Sequence, residues 1–259
     1  MSGSMAAGVP VLSRTSALKR FLKSLPSDLE TVYIADGRPA SRAELYDRVW
    51  PWPIEVLEPT EPGIGPARRI IANNVTEQLL FIADCDMELP YGDELDRLRE
   101  VVLSNSNYGG AAGWRIEQGQ VRSGATDLHR YNDVLVRDIQ RDITLNEDPV
   151  PHAIFDYIPQ AGIFRTAVFD DHTYQPMKNV EHLEFFLGHK DTPWRFASVP
   201  GVMIRHHKGK NEQYRQDIRN TSKNPDDWRF LSENYNISDQ LWGPTDEWSP
   251  TASGTVSHA

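Results

Sequence analysis

Cysteine is almost absent: among 259 residues there is one, Cys85, which excludes an internal disulfide framework. Long apolar runs are missing too, so no membrane span is expected. The start of the chain has no apolar segment of signal-peptide type. The setting expected from these absences is reducing and cytoplasmic. Positive charge is in deficit, with a formal net charge of -10 and a pI near 5.3. That balance argues against a general electrostatic grip on nucleic acid, although it leaves room for a local basic groove. Internal repeats are lacking. Residues 1–8 read as an expression tag and disordered lead-in. The small, Ser- and Thr-containing residues 248–259 read as a disordered tail.

What is present suffices for a sizeable core: 39% of the residues are hydrophobic. The pattern alternates between short apolar runs and amphipathic stretches. Strands are expected at 9–12, 31–35, 53–57 and 79–83. A helix after Ser16 is expected from Leu18, Phe21, Leu22 and Leu25, which share one face. Ser41 with Glu44 has capping-box spacing and predicts a helix through Trp50. Pro66 suits the first turn of a helix running to Asn74. Further helices are expected at 92–103 and 180–189. Further strands are expected at 108–114, 196–199 and 202–204, and 153–158 with 162–168 read as further strand and helix start. The stretch 134–143 fits strand or helix and is read as strand, and 115–130 as a hairpin or loop. The alternation predicts an α/β fold with a mixed, mostly parallel central sheet flanked by helices. The region 211–247 is read as a helical and loop extension.

Chemistry concentrates at three places. Asp84-Cys85-Asp86 directly follows the apolar run Leu79-Leu80-Phe81-Ile82-Ala83. Two carboxylates at the C-terminal end of a buried strand sit where open α/β sheets bind ligands. They suit a hard cation such as Mn²⁺ or Mg²⁺. The same triplet also fits a solvated turn. Cys85, between them, is expected to face the core. The second place is Glu181-His182-Leu183-Glu184, where Glu181 and Glu184 share a helical face. A carboxylate at a helix start is held ionised by the helix dipole. The third is Arg205-His206-His207-Lys208, where one histidine can join the aspartates.

In order along the chain, Val9-Pro10-Val11-Leu12-Ser13-Arg14, Ile34-Ala35-Asp36-Gly37, Gly65-Pro66-Ala67-Arg68-Arg69, Asp84-Cys85-Asp86, Glu181-His182-Leu183-Glu184 and His206 resemble family 2 glycosyltransferases of the GT-A, Rossmann-like fold. The stretches from Phe155 to Arg165 and from Val180 to Phe186 are similar to the β-1,4-N-acetylgalactosaminyltransferase-like branch. The resemblance covers about 9–210, with a donor half near 9–114 and an acceptor half near 115–210. It implies that Asp36 contacts the base or ribose of a nucleotide-sugar donor, and that Arg68 or Arg69 lies near its uracil or diphosphate. Asp84 and Asp86 would form the DxD motif, Asp86 being the more direct metal ligand. His206, or failing it His207, would be a further metal ligand or diphosphate contact. Glu181, or alternatively His182, would be the catalytic base. Gln160, Gly162 and Arg165 would shape the sugar or acceptor pocket with Glu184, while Trp114 and Trp194 suit core packing or, alternatively, stacking on a sugar face. The sequence departs from the family at Ala35, which precedes Asp36, at Arg69 and at His182.

The resemblance implies metal-dependent, inverting transfer from a UDP-sugar or related donor to a hydroxyl. The acceptor stays open: a glycan, a lipid carrier, a protein or a modified nucleic-acid base. Lys208, Lys210, Arg215 and Arg219 form a late basic stretch that fits a solvated helix face or, if it faces the site, an anionic acceptor. Two other classes compete. A nucleotidyltransferase would show a Gly-rich loop with a lysine near the first strand, and none is there. A degenerate GT-A domain would bind nucleotide or glycan without turnover.

Overall fold

The computed structural model describes residues 3–11, 14–138, 143–207 and 225–242. The basic stretch at Lys208, Lys210, Arg215 and Arg219 and the tail 248–259 lie outside the described residues.

The run is β1 (Met5–Val11), α1 (Thr15–Ser24), β2 (Thr31–Asp36), a 3₁₀ turn at Pro39–Arg42, α2 (Ala43–Tyr46), β3 (Ile54–Leu57), α3 (Ile64–Asn74) and β4 (Leu79–Ile82). It continues with β5 (Met87–Glu88), α4 (Glu94–Ser104), β6 (Tyr108–Glu117), β7 (Gln120–Arg122), β8 (Asp127–Tyr131), β9 (Val134–Asp138), β10 (Ala153–Phe155) and β11 (Gly162–Arg165). The last elements are α5 (Val168–Asp171), α6 (Glu181–Gly188), β12 (Arg195–His206), α7 (Pro225–Tyr235) and β13 (Asp239–Trp242).

A ten-stranded sheet in the order β10-β12-β6-β11-β4-β1-β2-β3 forms the centre, with β5 on β12 and β7 on β6. Strands β1, β2, β3, β4, β6 and β12 run one way, and β5, β7, β10 and β11 run the other. This is the mixed, mostly parallel sheet expected. Strand β11 inserts between β4 and β6, so the segments before and after residue 114 share one sheet.

The sheet is buried on both faces, which is why β4 reads as an unbroken apolar run. Leu79 and Phe81 pack with α1 and α4 through Leu18, Phe21, Leu98 and Val101. Leu80 and Ile82 pack on the other face with Ile71 of α3, Leu183 and Phe186 of α6 and Leu231 of α7. The period-two alternation therefore assigns one strand to two cores.

Four expectations change. Strand β1 starts at Met5 and not Val9; Met5 to Gly8 pair in register with Leu79 to Ile82, so these residues belong to the sheet and not to a tag. The helix from Ser41 to Trp50 is only a 3₁₀ turn and the short α2, and Ser41 Oγ donates to Arg38 O and does not cap a helix. The Asp36 carboxylate winds this segment around itself (below). Residues 196–199 and 202–204 lie in the single strand β12, whose ladder slips between Val199 and Met203. Pro200, lacking an N–H, and Gly201 sit at that slip. The extension contributes α7 and, unexpectedly, β13, which pairs in parallel with β9 in a second, three-stranded sheet. The hairpin expected within 115–130 is β6–β7. Its turn residues Gln118 and Gly119 have φ of 52° and 78°, as a tight primed turn requires.

Candidate functional site

Strand β4 delivers Asp84-Cys85-Asp86 as a turn at its C-terminal end, closed by Met87 N donating to Asp84 O over 3.0 Å. Cys85 faces the core, where burial and then the flanking aspartates push its thiol up to about 12. The two aspartates diverge. Asp84 Oδ1 accepts from Arg68 Nη2 at 2.7 Å, and Asp86 accepts from Arg14 Nη1.

Arg68 reaches Asp84 from α3 and is 1% exposed. Its Nη1 donates to Glu181 Oε1 at the first turn of α6. His182 Nδ1 lies 2.8 Å from the same oxygen. The buried guanidinium thus joins the two carboxylate motifs, which are far apart in sequence. Burial opposes ionisation of Glu181, but the His182 and Arg68 charges outweigh it and hold its carboxyl below the usual range. Glu181 Oε2 is buried and has no hydrogen-bond partner. Tyr174, fully buried beside this cluster, has its phenol raised by burial, and its OH donates to Gln160 Oε1 at 3.0 Å. Arg69, one residue on, is exposed on the outside of α3.

Gly65 makes this approach possible. Its N–H donates to Met177 O at 3.1 Å. A Cβ there would stand 2.4 Å from Gln175 O and 2.5 Å from Met177 O. Gly65→Ala is expected to push α3, and Arg68 with it, off residues 175–177. The expected loss is about 2 kcal/mol in urea unfolding. Gly37→Ala is the matched control, since nothing lies within 4 Å of its Cβ position.

The second half of the site forms across β6 and β12. His206 Nε2 lies 3.5 Å from Asp86 Oδ1, and its Nδ1 donates to Glu117 Oε2 at 2.8 Å. Burial opposes ionisation of Asp86, and the His206 and Arg14 contacts more than reverse this, lowering its pKa. His207 takes the other direction: its side chain pairs with Glu88, while its backbone N donates to Asp86 O at 2.8 Å. Arg205 also approaches Glu88. With Lys19, Arg20 and Lys23 of α1, it lines an open basic groove of the kind an acidic chain can still carry.

No group of three or more His, Cys, Asp or Glu side chains makes a metal shell among the described residues. Asp86 and His206 do fit as a pair. Glu117 holds Nδ1 and leaves Nε2 toward Asp86, the carboxylate–histidine arrangement that orients a metal ligand. Hard divalent ions commonly take only one or two protein ligands and complete their shell with phosphate and water.

Several expected site residues are engaged in other contacts or stand elsewhere. Asp36 is fully buried and accepts from Arg38 N at 2.8 Å, Arg42 Nη1 at 2.7 Å and Tyr46 OH at 2.5 Å. A donor contact there needs one of these to release. Arg165 is at the wrong end: β11 runs antiparallel to β4, so Gly162 lies beside Ile82 near the aspartates while Arg165 lies beside Leu79. Arg165 instead donates to Tyr108 O and to Val102 O at the end of α4. Gly162 serves the sheet, since a Cβ there would meet Ala111 O at 2.6 Å. Trp114 is on the face of β6 opposite Glu117, with its indole donating to Ser198 Oγ at 3.1 Å. Trp194 donates to Asp171 at 2.6 Å.

Glu184 belongs to a separate buried cluster, accepting from Tyr235 OH at 2.6 Å with His172 Nε2 2.9 Å away. Next to it His189 donates from Nε2 to His172 O at 3.1 Å and packs on Phe185. Burial, then the adjacent His172, lowers the His189 pKa to about 4. The unfolded chain therefore binds this proton more readily. The His189 contribution is present above about pH 6.5, the unfolded value, and is lost as pH falls toward 4. The full loss is roughly 3 kcal/mol. In urea unfolding between pH 6.5 and pH 4, His189→Gln should show a shallower stability slope than the wild type.

The sequence reading missed Arg14, Glu117 and Tyr174. Arg14 follows the C-terminal end of β1, the edge where ligands bind, and that position was its signal. Glu117 had none, because it meets His206 only through the long-range β6–β12 ladder.

No family model matches this chain, and no curated protein matches it. Solved structures do. GalNAc-T7 with UDP, GalNAc and Mn²⁺ aligns at a TM-score of 0.64 and 14% identity, over 79% of this chain and 44% of that one. The mannosyltransferase PcManGT from Pyrobaculum calidifontis, in complex with GDP-Man and Mn²⁺, aligns at 0.56 and 15% identity over 85% and 61%. S. aureus TarS 1–349 aligns at 0.54 and 14% identity over 78% and 60%. The chain spans less than two thirds of each of these chains. With its mixed central sheet, two buried faces and carboxylate turn after β4, this chain has the GT-A fold of those glycosyltransferases.

Proposed function

We propose that the protein is a metal-dependent, inverting glycosyltransferase that uses a nucleotide-diphosphate sugar, with UDP-sugars favoured, and a hydroxyl acceptor. The observation that carries this reading is the Arg68 bridge, which sets the Asp84–Asp86 turn against Glu181. Two of the aligned structures are complexes with Mn²⁺ and UDP or GDP-Man, which supports this donor class. Asp86 and His206 would hold the cation, which when bound supplies positive charge to the leaving diphosphate. The acceptor oxygen attacks the anomeric carbon, and the bond from that carbon to the diphosphate oxygen breaks with its electron pair. Glu181 takes the hydroxyl proton at Oε2, the oxygen left without a partner. Arg68 keeps Glu181 ionised and aimed.

A second reading draws on the burial of Glu181, which is 1% exposed: a domain that binds donor without turnover. A thermal-shift panel of nucleotide sugars, with and without Mn²⁺, tests the first reading. The expected result is metal-dependent stabilisation by one UDP- or GDP-sugar that disappears in Asp86→Ala. No shift with any nucleotide in folded protein would overturn it. Stabilisation without donor hydrolysis or transfer would favour the second.

A further inference from the structure

Two arginines beside the site have no role in the transfer chemistry. Arg137 of β9 is 6% exposed. Its guanidinium lies between the rings of Tyr157, at 4.0 Å, and Trp242, at 3.9 Å, and its Nε donates to Thr126 Oγ1 over 3.4 Å. Arg115 of β6 is partly buried; its Nε is buried without a partner, and its guanidinium end lies against Gly124. Neither guanidinium meets a carboxylate among the described residues. Burial lowers the Arg137 pKa, the Tyr157 phenol partly offsets this, and the nearby Arg115 charge acts in the same direction as burial. A buried charge without a counter-charge is costly, and a second like charge adds to that cost. Among the described residues, the two guanidiniums have no carboxylate partner.

Its position is informative. The Tyr157 ring that stacks on Arg137 lies 6.1 Å from the ring of His182, next to Glu181. Arg115 shares a face of β6 with Glu117, which holds His206 beside Asp86. The pair is therefore flanked by both halves of the candidate site. The groove at Lys19, Arg20 and Lys23 differs, since it is open and already contains Glu88.

We infer that Arg115 and Arg137 form an anion subsite that takes a phosphate group of the acceptor. This rests on the transferase reading above. Two guanidiniums match a tetrahedral dianion better than a single carboxylate, and Arg forks bind phosphate through paired hydrogen bonds. The donor's diphosphate is the other source of the same chemistry, and the experiment separates the two.

Inorganic sulfate, a tetrahedral dianion that does not precipitate Mn²⁺, is titrated into protein saturated with UDP and Mn²⁺. Melting temperature is followed for the wild type, Arg115→Gln and Arg137→Gln; general salt stabilisation is common to all three. Expected is saturable sulfate binding in the wild type, weakened about tenfold or more in each variant, with UDP affinity unchanged. Without sulfate, Arg115→Gln should be at least as stable as the wild type, because a like-charge repulsion is removed; this keeps the test readable if Arg137→Gln fails to fold. Sulfate binding that is absent, or unchanged in the variants, overturns the inference. So does a loss of UDP affinity in the variants, which would assign the arginines to the donor. Should no nucleotide bind, the titration is run without UDP. Arginine-dependent sulfate binding then keeps the anion subsite while the transferase reading falls, and its absence removes both.

Discussion

Arg68→Met is expected to destabilise the protein by about 3–5 kcal/mol, the usual cost of removing one partner from a buried ion pair. That is a large part of the roughly 5–15 kcal/mol that holds a domain folded. The reason is Glu181, which is 1% exposed and would keep only His182 as a partner. Glu181→Gln should cost less, because Arg68 would retain Asp84 at 2.7 Å, a carboxylate still in contact with water. The pH dependence adds a sign. In the wild type the depressed Glu181 pKa contributes stability that is present above the unfolded carboxylate value and is lost as pH falls. Without Arg68, burial is opposed by His182 and the helix start, so that pKa moves up from its wild-type position. The stability lost as pH falls is then smaller than in the wild type. Urea unfolding of wild type, Arg68→Met and Glu181→Gln across pH 4–8 reads both effects. An Arg68→Met protein as stable as the wild type would show that the bridge does not hold the two motifs together.

Most elements with a strong local pattern were legible. Leu18, Phe21 and Leu22 mark α1, and the apolar run at 79–82 marks β4, because both patterns arise from burial within one element. The carboxylate turn after β4 was legible for the same reason: the end of a buried strand is fixed by where its apolar run stops. Pairing across the sheet was not. Arg165 looked like a site residue because it is close in sequence to Gln160. The direction of β11, set by its neighbours β4 and β6, carries it to the far edge. Arg68 and Arg69 were indistinguishable as letters, and the helical phase of α3 buries one and exposes the other. The position of Asp36 at the end of β2 suits a ligand contact, yet a short polar segment following it in sequence engages its carboxylate. Met5 to Gly8 looked like a tag because small residues carry little pattern. Small size is what the site demands at Gly8, where a Cβ would stand 2.7 Å from the side chain of Ile71.

The other large effect is expected at Asp86. Asp86→Ala should abolish Mn²⁺-dependent UDP binding, because Asp86 is the carboxylate that faces His206 and the cation would keep a single protein ligand. Arg14 would also lose its ion pair with Asp86. Metal-independent binding of UDP is expected to persist weakly in this variant. Glu117→Gln is the finer probe. It leaves both proposed ligands in place and removes only the carboxylate that fixes the His206 ring. Changes of this kind typically weaken metal affinity about 10–100-fold. Calorimetric titration of Mn²⁺ into protein held with excess UDP measures both variants. A Glu117→Gln protein with wild-type Mn²⁺ affinity would mean that His206 is not a ligand. The cation would then rest on Asp86 and the diphosphate alone, and His206→Ala should be equally silent.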